Sequence, residues 1–376
     1  MASLLDHLRT LSSVDCDTLD AEVASKLGPF INCTSNQAIA YAELSRVDSS
    51  GKPLYQQLIT EALEVAHWQF GKQTDATLEE LAVELMMVGL SLRIAPHTTG
   101  YLHVQTNPKL AYSTQKTVKN TERIISHFKQ LAPDFDTNRI CIKVPSTWEG
   151  LQACRELEKK GIATLATILF SLEQTAIAAD AGCRYIAPYV NELRVHFDSS
   201  YTDLSPALPF TGAAQTYLDS LQGNRTQVLA ASLTSIEQVM QLAGIHHITV
   251  SPLLLTELAA TPAAGWAGTA QIGQVIKTAA AGSATDGKLG SESGIRGKLE
   301  AVVQDEGFWR MAFTRAEGGR CETKVVQAVN IFADVQDRLE GIVRRAEGER
   351  EGRVGGVYGG DGAGEDGEEA LKTPQE

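Results

Sequence analysis

The chain has no pair of cysteines in C-x-x-C spacing: Cys16, Cys33, Cys141, Cys154, Cys183 and Cys321 are scattered singly. That scatter argues against a disulfide frame or a zinc site and suits reduced, buried thiols in a reducing compartment. No apolar run reaches bilayer length, and the N-terminus, with Asp6 early, carries no signal-peptide pattern. Basic residues are in deficit. A net charge of −13 leaves no basic patch to release counterions, so neither nucleic acid nor an anionic membrane is an expected partner. No G-x-G-x-x-G or P-loop at a strand end marks a nucleotide site. His103, His196, His246 and His247 form no set with ligand spacing, so no metal is expected. What remains is the composition of a globular, cytoplasmic enzyme, 43% hydrophobic and 21% charged over 376 residues.

The most informative stretch present is Arg139-Ile-Cys-Ile-Lys-Val-Pro-Ser-Thr-Trp-Glu-Gly150. Strand-like residues Ile140 to Lys143 deliver one lysine into an apolar interior, and Val144-Pro145 is expected to stop the strand because proline offers no N–H. Ser146 or Thr147 then caps a helix running through Leu151, Cys154 and Leu157. Burial disfavours the ammonium form of a lysine and makes a neutral amine available for Schiff-base formation. The structural alternative is a lysine that snorkels from the strand end or pairs with a carboxylate.

Read in order, the chain alternates. Strands are expected at 13–17, 30–34, 100–107, 140–143, 162–169, 184–188, 227–231 and 247–250. Helices are expected at 21–27, 54–70, 78–92, 114–130, 150–160, 172–181, 212–221, 235–243 and 252–259. Eight βα units point to an α/β fold with a parallel sheet, closed as a single (β/α)8 TIM barrel spanning residues 1–345. An open doubly wound sheet is the competitor. Residues 261–298, rich in Ala, Gly and Thr, read as a loop-rich excursion. Phe308 to Met311 and a helix from Val325 to Arg345 restore an apolar stripe that is expected to pack across the barrel. From about Glu347 the Gly/Glu/Asp-rich composition predicts a disordered acidic tail over 346–376.

In such a barrel the C-terminal strand ends, which carry Asp17, Asn36, Gln105, Thr167, Tyr189 and Ser232, converge on Lys143. Here the chain resembles the transaldolase family, from about Leu8 to Leu258 plus the C-terminal helix. The matching pieces are Asp17-Thr-Leu-Asp20, Thr34-Ser-Asn36, Ile142-Lys-Val-Pro-Ser-Thr-Trp-Glu-Gly150, Gly161-Ile162 with Thr167 and Phe170-Ser171, and Ala231-Ser232. The resemblance implies that Lys143 attacks a ketose C2 carbonyl and that Asp17 takes the C4 hydroxyl proton as the C3–C4 bond breaks. It also implies that Asn36 and Ser232 hold the three-carbon enamine. No cofactor is implied. The plainer readings are that Asp17 caps the following helix, Asn36 is a turn residue and Tyr189 is a core aromatic.

Gln105 stands where most of the family has an acid/base glutamate, and Ala187-Pro-Tyr-Val-Asn191 and Val228-Leu-Ala-Ala-Ser232 resemble the fructose-6-phosphate aldolase branch. By that resemblance Tyr189, Gln105 and Thr167 hold a catalytic water. Glu192 and Thr234 replace the arginines that clamp a substrate phosphate in the family, with Arg194 a candidate substitute. An atypical, non-phosphorylated substrate is therefore expected. The alternatives are an ordinary pentose-phosphate transaldolase acting on sedoheptulose 7-phosphate and glyceraldehyde 3-phosphate, and an inactive barrel with a binding role. The expected partners are small ketoses and aldehydes, with a homodimer the assembly considered.

Overall fold

In the computed structural model, which describes residues 2–72, 75–266, 297 and 299–357, eight parallel strands close into a barrel in simple chain order. They are β1 (Ser13–Asp17), β2 (Cys33–Thr34), β3 (Leu102–Gln105), β4 (Ile140–Pro145), β5 (Ala163–Leu169), β6 (Tyr185–Pro188), β7 (Gln227–Ala230) and β8 (His247–Val250). The open-sheet alternative is thereby excluded, since β1 pairs with both β2 and β8. The helices that follow the strands are α2 (Ala21–Leu27), α3 (Gln37–Leu44), α6 (Thr114–Leu131), α7 (Trp148–Lys159), α8 (Leu172–Asp180), α9 (Leu208–Ser220), α10 (Ile236–Gln241) and α11 (Pro252–Ala260). Helix α1 (Leu4–Arg9) precedes the barrel, and α4 (Gln56–Gln69) and α5 (Leu78–Ile94) are inserted between α3 and β3.

Three local departures have physical causes. Pro145 ends β4 rather than following it, and pairs in register with Thr167. At the last rung the missing N–H costs little, because Ser146 N takes up the ladder by donating to the Thr167 carbonyl at 2.9 Å. Strand β2 is only two residues long, where 30–34 was expected. Helix α3 was not expected as an element; its cap is Asn36 itself, whose Oδ1 accepts from Ala38 N and Ile39 N at 2.9 and 3.0 Å. An Asn that reads as a turn and one that starts a helix present the same side-chain chemistry.

The lysine strand is the best-specified part of the fold. All six residues of β4 are buried. Thr147 caps α7, accepting from Gly150 N at 2.9 Å and donating to the Ala111 carbonyl. Gly150 is required by close approach, because a Cβ there would meet the Pro145 carbonyl oxygen at 2.0 Å. The Thr-x-Glu-Gly signature is thus a cap plus a contact no larger residue can make. One strand along, Ile168 sits at φ 56°, in the left-handed region, and the β5–β6 register slips between Thr167 and Leu169. The bulge turns the end of β5 so that the Leu169 carbonyl accepts from Tyr189 N at 3.1 Å.

Helices α12 (Glu306–Arg315) and α13 (Arg320–Val357) lie in the C-terminal part of the described chain. Trp309 anchors α12: its ring lies 5.5 Å from that of Trp148 and its Nε1 donates to the Glu173 carbonyl at 2.9 Å. On α13, Val325, Ala328, Val329, Phe332, Val335, Leu339, Ile342 and Val343 are buried, at helical three- and four-residue spacing. That stripe packs on α3, α4 and α5 and across the mouth of the barrel. Helix α13 continues to Val357, past the composition change at Glu347, and His67 Nε2 lies 2.8 Å from Glu347. The remainder of the acidic tail, 358–376, and most of the 261–298 excursion lie outside the described residues.

The opposite end of the barrel carries structural polarity. Buried Asp15 accepts from Asn32 N at 2.9 Å and lies 3.0 Å from His247 Nδ1, at the start of β8. All six cysteines are free and buried. Among the described residues no helix is long and apolar enough to cross a membrane.

Candidate active site

At the C-terminal end of the strands, under α13, lies a cavity of about 430 Å³. Lys143 reaches it from β4, Asp17 from β1, Asn36 from the start of α3, Tyr189 from the end of β6 and Ser232 from the end of β7. Five residues from five separate places in the chain therefore meet at one opening, the arrangement a barrel imposes on its strand ends. Lys143 is only 2% exposed, and its register partners are Gln105 and Leu165.

Hydrogen bonds fix what each group can offer. Thr34 donates its hydroxyl to Asp17 Oδ1 at 2.5 Å and lies 2.6 Å from Thr249 Oγ1. The carboxylate is therefore aimed rather than free to rotate. It is Asp20, not Asp17, that caps α2, accepting from Glu22 N at 2.9 Å. Asn36 commits Oδ1 to the α3 cap and so leaves its NH2 group as a donor towards the cavity. Ser232 stands at φ 60°, where a non-glycine residue is strained. Its carbonyl is held there by Asn191, through Nδ2 at 2.7 Å and the backbone N at 3.1 Å.

Thr167 and Gln105 are not on the cavity wall. Both are buried, and each leaves an oxygen, Thr167 Oγ1 and Gln105 Oε1, without a protein partner. Gln105 donates instead to Gln37 Oε1 at 2.9 Å. Arg194 turns away as well: its guanidinium pairs with Asp198 at 2.7 Å and lies over the Tyr201 ring. Glu192 also faces outward. It accepts from Tyr201 at 2.7 Å and Gln327 at 3.3 Å and lies 3.7 Å from Lys324 of α13, so it fastens the roof helix instead of charging the cavity. The bond to Glu192 pushes the Tyr201 phenol up to about 12.

Among the lining side chains that escaped the sequence reading, a histidine and an arginine can act on a substrate. His196, at the end of the helical turn Leu193–His196, lies with Nε2 2.9 Å from Ser232 Oγ. Desolvation holds its imidazole below the usual value, against the opposing charge of Asp17. Arg338 projects from α13 into the cavity lining and has no ion-pair partner among the described residues. Neither could be placed from a pattern, because one sits in an irregular loop and the other on a helix whose docking depends on the finished barrel. Among the described residues no three His, Cys, Asp or Glu side chains converge as metal ligands.

Comparison with known proteins agrees with this geometry. The profile of the Transaldolase/Fructose-6-phosphate aldolase family matches residues 14–293. A transaldolase of Alteromonas mediterranea is 27% identical over 350 residues, covering 92% of this chain and 98% of its own. One from Nostoc punctiforme is 29% identical over 350 residues, covering 91% and 98%. A probable transaldolase of Dictyostelium discoideum is 30% identical over 264 residues, covering 69% and 79%. Matched over most of its length by the profile and nearly end to end by two of these relatives, the chain is an enzyme of the transaldolase/fructose-6-phosphate aldolase family.

Proposed function

We propose that the enzyme captures a ketose as a Schiff base on Lys143 and moves a dihydroxyacetone-type unit. The Lys143 amine adds to C2, and loss of water gives the iminium. The C3–C4 bond then breaks with its electron pair drawn into the iminium, leaving an enamine, while Asp17 accepts the C4 hydroxyl proton and an aldehyde departs. Addition of the enamine to a second aldehyde reverses these steps, with Asp17 returning the proton; hydrolysis instead releases the three-carbon ketone. The Asn36 NH2 group would donate to the oxygen of the bound unit. The observation that carries this reading is the meeting of a buried lysine, an aimed carboxylate and an oriented amide in one cavity. Borohydride reduction in the presence of dihydroxyacetone should add one three-carbon unit at Lys143, read by peptide mass spectrometry. Labelling elsewhere, or none, would sink the proposal and favour the inactive-barrel alternative.

The remote end of the donor admits two readings. Glu192 and Thr234 in place of arginines favour a donor without phosphate, as the sequence suggested. Arg338, unpaired among the described residues and on the cavity wall, favours a phosphorylated donor, as do full-length relatives named transaldolase. Turnover of fructose 6-phosphate against fructose, in wild type and Arg338→Met, separates the two. A preference for the phosphate ester that disappears in the variant selects the second reading.

A further inference from the structure

The cavity is well supplied with donors and poor in acceptors. Lys143, Arg338 and the NH2 group of Asn36 all donate, whereas a polyhydroxylated substrate presents several O–H groups that need acceptors. Apart from side chains that are themselves hydroxyls, Asp17 is the obvious acceptor on the wall, and the proton transfer assigned to it engages one substrate hydroxyl only. His196 supplies another. The hydrogen-bond directions around Ser232 determine which of its nitrogens is the acceptor.

Ser232 Oγ lies 2.9 Å from the Asn191 carbonyl and 2.9 Å from His196 Nε2. A serine hydroxyl has one proton, and a carbonyl has none to give. Both contacts are satisfied only if Ser232 donates to Asn191 and His196 donates Nε2–H to Ser232. The neutral imidazole is thereby held with Nδ1 unprotonated, and Nδ1 has no partner among the described residues. Ser232 is fixed in its left-handed turn, because Asn191 grips its backbone carbonyl twice. Ser232 is thus engaged on both sides and is better placed to orient His196 than to bind substrate itself.

We propose that His196 is a substrate-binding residue, its Nδ1 accepting a hydrogen bond from a donor hydroxyl beyond C4, the nearest being that on C5. The inference rests on the placement of the ketose by Lys143 and Asp17. Asp17 is assigned the C4 hydroxyl, and His196 lines the same cavity as Asp17. The next hydroxyl along the chain therefore falls to the histidine.

The experiment compares wild type, His196→Ala and His196→Asn on a six-carbon ketose donor and on its 5-deoxy analogue, with borohydride trapping of dihydroxyacetone at Lys143 alongside. Loss of one neutral hydrogen bond should raise KM for the hydroxylated donor about tenfold in His196→Ala, with kcat within about twofold. KM for the 5-deoxy donor should be the same in variant and wild type. His196→Asn, whose amide oxygen can stand in for Nδ1, should recover part of the loss. Trapping of dihydroxyacetone, which has no C5, should be equal in all three proteins. An unchanged KM for the hydroxylated donor, or an equal rise for both donors, overturns the assignment while trapping persists. Failure of trapping in wild type overturns the Schiff-base reading and takes this one with it.

Discussion

Lys324 is one of the cations that fasten the roof of the cavity, together with Lys109, which pairs with Asp337 and Glu340 of α13, and Lys324→Met tests its share. Its ammonium lies 3.7 Å from Glu192 and 4.0 Å from Asp203, with the three side chains 10%, 16% and 3% exposed, and it stands 5.6 Å from the centre of the Phe170 ring. At an effective dielectric near 20, one such pair attracts by about 4–5 kcal/mol before the desolvation cost is subtracted. Breaking a well-bonded buried pair costs about 3–5 kcal/mol. Neither contact here is within hydrogen-bond reach, so a loss of about 2–3 kcal/mol is expected in chemical denaturation. Asp203 keeps both oxygens bonded, to Glu192 N and Ser205 N at 2.9 and 2.8 Å, whereas the Glu192 bonds from Tyr201 and Gln327 fall on Oε2 and leave Oε1, the oxygen that faces Lys324, as the stranded one. Glu192→Gln combined with Lys324→Met should therefore recover more than half of the loss. Because α13 carries Phe332, Val335 and Arg338 to the cavity, the single variant should also raise KM for the donor while leaving dihydroxyacetone trapping intact. A change under about 0.5 kcal/mol, or a double variant as damaged as the sum of its parts, would refute the reasoning.

Asp17→Asn should lower donor cleavage by about 10²–10⁴-fold and leave borohydride trapping of dihydroxyacetone nearly unchanged, because the trapped ketone has no C4 proton to lose. Between α5 and α6, Glu84 accepts from Arg123 at 2.7 and 3.1 Å and from Asn120 at 2.6 Å, all buried. Glu84→Gln should cost about 3 kcal/mol by denaturation, with kcat preserved in the folded fraction. Burial, with Lys143 and His247 adding to it, holds His103 well below the ordinary imidazole value of 6.5. The unfolded chain then binds more protons than the folded one below that value. The stability His103 contributes is complete above pH 6.5 and falls by up to about 1.4 kcal/mol per unit as pH drops through and below it. His103→Leu should flatten that slope in denaturation series between pH 7.5 and 5.5.

The strand framework was legible because short β-branched runs separated by helical periodicity leave few alternatives once the units number eight. Lys143, Asp17, Asn36, Tyr189 and Ser232 were legible for a related reason: residues at the C-terminal ends of barrel strands meet by construction. Thr167 and Gln105 share those strands but are turned off the wall, Gln105 towards Gln37, and a pattern cannot register a side-chain rotation. Glu192 was read as standing in the place of an arginine that clamps a substrate phosphate. Its outward turn depends on Tyr201 and Lys324, nine and 132 residues further along the chain, so only the assembled structure reveals it. His196 and Arg338 were missed on the same grounds.

The roof helix has a consequence for the order in which the enzyme comes to life. Lys143 comes before the middle of the chain and the last barrel strand ends at Val250, yet the segment that shelters them begins at Arg320. A ribosome will therefore have made every strand before the covering segment exists, and a chain cut at 319 would lack the whole of the helix that lies over Lys143. The cavity over Lys143 is complete only with that helix in place, so its walls and its cover come from stretches of chain made far apart in time.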